Sequence, residues 1–305
     1  MWISEQILYR LVKLFSNSEV GHSDEHKSSL ENEDAYAEFR LQQIDLVLDA
    51  AKRYDVSIED KIVLDLGCFD GAISVGYLEK GARKVIGVDI DEAAVAKAKE
   101  LRGSDTAEFY ASTIDGIPLP DESVEVILCY DVFEHVERPP EMLKEIKRIL
   151  KPGGRMLIGT WGWKHPFAPH LWSTMPVPWA HVMFSERTML RTCRRVYESD
   201  WYQPNMHDFD ENGERIPVKY DYEEIPGDYL NKYLIKDFER DFKASGLDYK
   251  MHLQPFGSRY AAWSKMFLGV PWVREFITGY LWCELFKPAA RKAVSEQPAV
   301  TTASA

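Results

Sequence analysis

KIVLDLGCFDGAISVGYLEKGARKVIGVDIDEAAVAKAKE, Lys61 to Glu100, is the stretch that decides the fold. Ile62–Leu66 is a short apolar run, the pattern of a parallel strand buried on both faces. It breaks at Gly67-Cys68-Phe69-Asp70-Gly71. Ala72–Lys80 then reads as a helix stopped by Gly81, and Lys84–Val88 as a second strand with Asp89 at its C-terminal end. The result is a βαβ unit. Gly67 and Gly71 let the main chain turn tightly and approach a ligand with no Cβ in the way. Free N–H groups at the start of the next helix favour an anionic group. Asp89 follows Gly67 by about twenty residues, near the spacing of an acid that binds ribose hydroxyls in nucleotide folds. An α/β unit without a ligand is the plain alternative; strand, glycine turn, helix and spaced acid together argue against it.

The 305 residues are enough for one large domain or a core with a cap, and 45% are apolar, so a sizeable core can form. The net charge of −12 argues against a phosphate backbone as the main partner, so no nucleic acid is expected. No apolar run is long enough to span a bilayer, and the N-terminus lacks a small-residue cleavage site, so neither stable membrane insertion nor secretion is expected. Cys68, Cys129, Cys193 and Cys283 are scattered with no C-x-x-C, which fits a reducing cytoplasm.

Working outward, residues 2–15 carry a helical apolar stripe, Trp2, Ile3, Ile7, Leu8, Leu11, Val12 and Phe15, for packing on the core or on a second subunit. Asn17–Asp34 reads as a loop and Ala35–Arg53 as a helix on which Tyr36 and Arg40 share a face. Further helices are expected at Asp91–Leu101 and Met142–Leu150, the latter stopped by Lys151-Pro152-Gly153-Gly154, and strands at Glu108–Ala111, Val124–Cys129 and Arg155–Thr160. From Trp161 to about Tyr233 the pattern breaks. This stretch is rich in tryptophan, proline, histidine and tyrosine and begins at the C-terminal end of the fifth strand, so it can cover a pocket. Flat, rigid aromatics suit an apolar or aromatic substrate. Tyr233–Gly246 reads as a helix, Leu247–Leu253 as a sixth strand, the residues beyond Pro271 as a helix, Tyr280–Phe286 as a seventh strand, and 289–305 as a disordered tail.

The turn D-L-G-C-F-D-G resembles the first motif of class I S-adenosylmethionine-dependent methyltransferases, D/E-x-G-x-G-x-G. Asp65, Gly67 and Gly71 match, and Phe69 stands where that family usually has glycine. The segment EMLKEIKRILKPGGRMLIGT and the loop Pro118-Leu119-Pro120-Asp121 are similar to the same family, so the resemblance runs over Ile62–Thr160. It implies a doubly wound, mostly parallel seven-stranded α/β sheet of order 3-2-1-4-5-7-6 with the seventh strand antiparallel. The chain then divides into an N-terminal helical segment or lid (1–60), a donor-binding core (61–160), an inserted cap (161–233), the remainder of the core (234–288) and the tail.

The resemblance also implies S-adenosylmethionine as cofactor. Its contacts would come from Asp65, Gly67, Cys68, Phe69 and Gly71 in the turn, and from Asp89 on the ribose with Ile90 beside it. Thr113, Ile114 or Asp115 would read adenine, Tyr130 would follow the fourth strand, and Tyr36 and Arg40 would come from the lid, Arg40 on the donor's carboxylate. The acceptor should lie near Asp131, Glu134 and the cap, with Asp131 or a cap histidine (His165, His170 or His181) as base; for each histidine a structural or surface role is the alternative. Asp131-x-x-Glu134-His135 is similar to a loop of ubiquinone-biosynthesis O-methyltransferases and small-RNA 2′-O-methyltransferases. Some of those hold a divalent cation there, and oxygen ligands favour magnesium. The function implied is methylation of a small, aromatic or apolar metabolite, at oxygen first and at nitrogen or carbon second. The rival is a binding or scaffold protein that kept the fold. A homo-oligomer through the N-terminal helix is a further expectation.

Overall fold

The computed structural model describes residues 3–16, 28, 30, 33–113, 116–210, 212–256 and 261–289. Seven strands form one sheet: β1 (Ile62–Leu66), β2 (Lys84–Asp89), β3 (Ala107–Ala111), β4 (Val124–Tyr130), β5 (Leu150–Thr160), β6 (Asp248–Pro255) and β7 (Thr278–Phe286). The order is β3-β2-β1-β4-β5-β7-β6, as the motif implies. The pairs β1–β2, β1–β4, β2–β3 and β4–β5 are parallel, and β7 runs antiparallel between β5 and β6. β1 is therefore central, and strand order reverses beside it between β2 and β4. Open α/β sheets bind ligands at such a switch point.

The apolar runs of β1 and β4 are buried on both faces because helices cover both. On one face lie α2 (Glu33–Arg53) and α3 (Ala72–Glu79), burying Ile44, Val47, Val63, Tyr77, Val126 and Leu128. On the other lie α5 (Pro139–Ile149) and α8 (Ile235–Ser245), burying Leu64, Ile127, Leu143, Ile146, Phe238 and Phe242. A Cβ at Gly76 would come within 2.1 Å of Ile44, so that glycine is what lets α2 and α3 approach closely. α4 (Glu92–Arg102) packs on β3; Asp91 caps it by accepting from the N–H groups of Ala93 and Ala94.

Two boundaries differ from the sequence reading for physical reasons, and one helix is additional. α5 begins at Pro139, because proline is favoured in a first helical turn. It ends at Ile149, and β5 already starts at Leu150; Lys151-Pro152-Gly153-Gly154 lies inside the strand, with Gly153 at φ +82°. A further short helix, α9 (Ala261–Phe267), precedes α10 (Pro271–Ile277). The expected tail lies, beyond Ala289, outside the described residues.

The cap residues form a separate core around α7 (Glu186–Tyr197), with the short α6 (Ala180–Met183) beside it. The N-terminal helix α1 (Ile3–Phe15) joins this core: Leu8 and Val12 are buried with Met189, Leu190, Cys193 and Val196. Its stripe is thus divided, since Ile3 and Ile7 face outward. The four cysteines are all buried and free. Among the described residues no helix is long and apolar enough to cross a membrane.

Candidate active site

At the C-terminal end of β1 the chain turns through two left-handed glycines, Gly67 (φ +84°) and Gly71 (φ +78°). Both serve packing as well as access. A Cβ at Gly67 would lie 2.2 Å from Val132 Cγ2, and one at Gly71 2.5 Å from the Phe109 ring. Between them Phe69 also adopts a left-handed backbone (φ +48°) and its ring is 46% exposed. Asp65 is buried below the turn, where Ser74 Oγ donates to it at 2.6 Å. Burial pushes its carboxyl up to about 6 despite that bond.

Asp89 holds the turn. Its Oδ2 accepts from the Phe69 N–H at 2.7 Å and its Oδ1 from the Asp91 N–H at 3.0 Å. Beside it lies a cavity of about 350 Å³ whose lining includes Gly67, Asp89, Ile90, Thr113, Val132 and Met142, with His135 and Arg138 at its side. The volume falls within the range of small-molecule sites. Tyr36 lies edge-on to His207 with centroids 5.9 Å apart, and the Arg40 guanidinium stands 5.5 Å over the Phe69 ring. Cys68 is fully buried under the turn. Ile114 and Asp115 lie outside the described residues; of the neighbouring loop, Ser112 and Thr113 line the cavity.

The loop after β4 is folded differently from a helical continuation. Asp131 is left-handed (φ +51°), and Phe133–His135 forms a single 3₁₀ turn. Tyr280 OH donates to Asp131 Oδ1 at 2.6 Å, and Thr160 Oγ1 donates to Glu134 Oε2 at 2.7 Å, which leaves Glu134 Oε1 buried without a partner. Burial pushes both carboxyls up, and at Asp131 the charge of Glu134 acts in the same direction, so that each reaches about 7. Tyr130 OH donates to Gln43 Oε1 at 3.0 Å, tying α2 to this edge. Tyr130, Tyr280 and Trp282 line a second cavity of about 480 Å³, walled by Asp45, Leu46, Asp49, Ala50 and Arg53 of α2. Asp131 itself lines neither cavity; Tyr130, before it, lines the second and Val132, after it, the first.

The cap histidines diverge. His170, at φ +56°, stacks on Trp172 and lies edge-on to His135 with centroids 5.0 Å apart; its Nε2 accepts from Trp161 Nε1 at 3.1 Å. His165 stacks on the other side of Trp161, and its Nδ1 accepts from the Phe167 N–H. His181 is turned into the cap, with Nε2 2.7 Å from the Trp163 carbonyl oxygen. Burial pulls all three down, His165 and His181 to about 4 and His170 to about 3, so each is neutral at pH 7. His135 Nδ1 lies 2.6 Å from the Tyr229 carbonyl oxygen, leaving Nε2 as the acceptor nitrogen.

The metal set expected from sequence was Asp131, Glu134 and His135. The side chains that converge are instead Glu134, His135 and His170, whose ligand atoms lie within 4.8 Å of one another. Asp131 faces the other way, onto Tyr280. Sequence reasoning missed Tyr280, Thr160 and Tyr229, the groups that fix Asp131, Glu134 and His135. They come from distant strands and loops, and no local pattern marks them.

A family model described as a methyltransferase domain matches residues 64–158. A ubiquinone biosynthesis O-methyltransferase of Pseudomonas fluorescens is 33% identical over 109 residues, 34% of this chain and 46% of that protein. A probable S-adenosylmethionine-dependent methyltransferase of Mycolicibacterium smegmatis is 36% identical over 104 residues, 32% of this chain and 37% of that protein. The chain therefore spans less than half the length of these relatives. Among solved structures, an S-adenosylmethionine-dependent methyltransferase of Mesorhizobium loti is similar with a TM-score of 0.47 at 17% identity, over 78% of this chain and 96% of that one. The matched segment runs from β1 to β5 and holds the glycine turn, Asp89 and the loop at Asp131. Residues 64–158 thus carry a methyltransferase domain.

Proposed function

We propose that the protein transfers the methyl group of S-adenosylmethionine to an oxygen of a small, flat, aromatic or apolar molecule. The observation that carries this reading is that the residues on either side of Asp131 line two cavities, Val132 the one beside Asp89 and Tyr130 the aromatic-floored one beneath α2. In this reading Asp89 takes the donor's ribose hydroxyls, and Ile90, Thr113 and Met142 flank the adenine. The acceptor rests against Tyr130, Tyr280 and Trp282, whose rings supply flat contact area.

The acceptor oxygen attacks the methyl carbon in line with the carbon–sulfur bond, that bond breaks, and the sulfur leaves with its electron pair. The acceptor's proton passes to Asp131. A carboxyl raised to about 7 is a far better base for a phenolic hydroxyl than an ordinary one. Tyr280 holds it in place, and most of the remaining acceleration is orientation. Incubation with donor labelled at the methyl group and a panel of phenols, amines and carbon acids tests the reading and ranks oxygen against nitrogen and carbon. A scaffold protein without a donor site would give no heat with S-adenosylmethionine in a calorimeter.

One observation favours a second reading. The orphaned Glu134 Oε1 faces two imidazoles, a set that could receive a cation. Magnesium does not fit it: hard magnesium takes oxygen ligands, and two of these three donors are nitrogens, which suit zinc, manganese or iron. His170 Nε2 is also already engaged by Trp161. Chelation followed by add-back of each metal separates the readings, since a histidine–carboxylate cation site loses activity on chelation and an Asp131 base does not.

A further inference from the structure

We infer that Phe69 is a positioning residue which aims Arg40 at the α-carboxylate of the donor and so makes the site select the carboxylated donor over the decarboxylated one. This rests on the proposed use of S-adenosylmethionine. Three features of Phe69 need an explanation that packing does not give. It occupies a left-handed backbone conformation that glycine adopts freely and a bulky residue adopts at a cost. Its ring is nearly half exposed, so little apolar burial offsets that cost. And its N–H already satisfies Asp89 Oδ2, a bond a glycine would make equally well. The ring itself must therefore contribute something.

What the ring touches is Arg40. The guanidinium lies 5.5 Å from the ring centroid, within the range of a cation–π contact. Among the described residues no ion pair joins Arg40 to a carboxylate, although the buried Asp65 is close enough to feel its charge. The other charge on the turn, Asp70, is taken: it pairs with Arg102 at 3.4 Å and accepts from the Ala72 N–H. Arg40 is thus a half-buried cation, supported from one side by an aromatic face and standing over a glycine turn at the start of α3. A planar guanidinium held in this way offers two parallel N–H groups to a carboxylate. The amino-acid end of the donor supplies that carboxylate. With glycine at position 69 the guanidinium would swing freely, and each bond would carry the entropy of fixing a long side chain.

The test is calorimetry on the full chain with S-adenosylmethionine and with decarboxylated S-adenosylmethionine, which keeps the sulfonium and the nucleoside. The parent should bind the carboxylated donor about tenfold more tightly or better, the scale of a charge-assisted pair. Phe69→Gly should erase most of that preference, leave decarboxylated-donor binding within about twofold, and hold or raise the thermal midpoint, because it relieves the left-handed backbone. Arg40→Gln should give the same loss, and the double variant no more than either alone. Phe69→Tyr should retain the preference. A merely structural Phe69 would instead lose stability and affinity for both donors together, and that result overturns the inference, as does a Phe69→Gly variant with the parent's selectivity. If the parent binds both donors equally, the donor reading stands and the Phe69 role falls. If it binds neither, the proposed function falls first.

Discussion

Asp131 and Glu134 are two carboxyls buried within one loop, to which the hydroxyls of Tyr280 and Thr160 donate. Their folded values lie above the ordinary ones of about 3.9 and 4.3, so the fold binds their protons more tightly than the unfolded chain does. The stability this contributes is complete below about pH 4 and is lost as pH rises through 7. The proposed catalysis runs the opposite way, because an Asp131 base would accept a proton only when ionised. Removing the neighbouring charge by Glu134→Gln should let the Asp131 carboxyl move back down and shift the acidic limb of kcat to lower pH. A profile between pH 5 and 9 reads this directly; an unmoved limb would assign the titration to another group. Asp89 holds the N–H groups of Phe69 and Asp91 while lining the cavity proposed for the donor. Asp89→Ala should weaken donor binding by about tenfold or more and cost about 1–3 kcal/mol of stability as well. Donor affinity within twofold of the parent would remove Asp89 from the site. The identity of these residues was legible from the glycine turn and from strand ends. Their partners were not: Tyr280 reaches Asp131 only because β7 is inserted beside β5 in a register that no local pattern encodes.

At the level of elements, the turn after β1 and the loop after β4 interlock. Val132 lies where a Cβ on Gly67 would stand, so the turn can close over the ligand only if position 67 has no side chain. Gly67→Ala should destabilise the protein by roughly 1–3 kcal/mol, from the positive φ and the collision together. Val132→Ala in that background should recover the collision part and leave the backbone part, which chemical denaturation of the four proteins of the cycle would show. Strands and core helices were legible because their apolar runs and stop residues are local. The stretch Lys151–Gly154 misled because proline and glycine signal a helix end equally well whether a loop or an irregular strand follows. The destination of α1 was not legible either, since an amphipathic stripe says that a face is covered and not by what. Leu8 and Val12 turn out to complete the cap.

For the whole molecule, the cap sets an acid limit. His165, His170 and His181 are held neutral by burial, with folded values far below the ordinary 6.5. The stability they leave intact is present above about pH 6.5 and is lost as pH falls toward 4, because the unfolded chain takes up protons there and the fold does not. His165→Phe keeps the stack on Trp161 and removes one titrating group. Its thermal midpoint should therefore fall less between pH 6.5 and 4 than the parent's. Parallel decline of the two would show that His165 takes no part. The cap's composition announced an aromatic cover. Which histidine points at the loop after β4 and which into the cap depends on left-handed turns at His170 and Trp179, both non-glycine positions that sequence does not flag.

β7 lies between β5 and β6 although it is the last strand in the chain. As the polypeptide leaves the ribosome, β5 is complete at Thr160, yet its open edge has no partner until Thr278–Phe286 emerges. Throughout that interval the cap is being synthesised next to an unpaired strand edge, the kind of surface on which nascent chains associate. β6 cannot shield it, because β6 joins the sheet only through β7. Protein synthesis therefore finishes this edge late: the tyrosine that holds Asp131 arrives with the strand that seals the sheet, and a ribosome stalled before Tyr280 carries a finished glycine turn beside an Asp131 that still lacks the hydroxyl that fixes it.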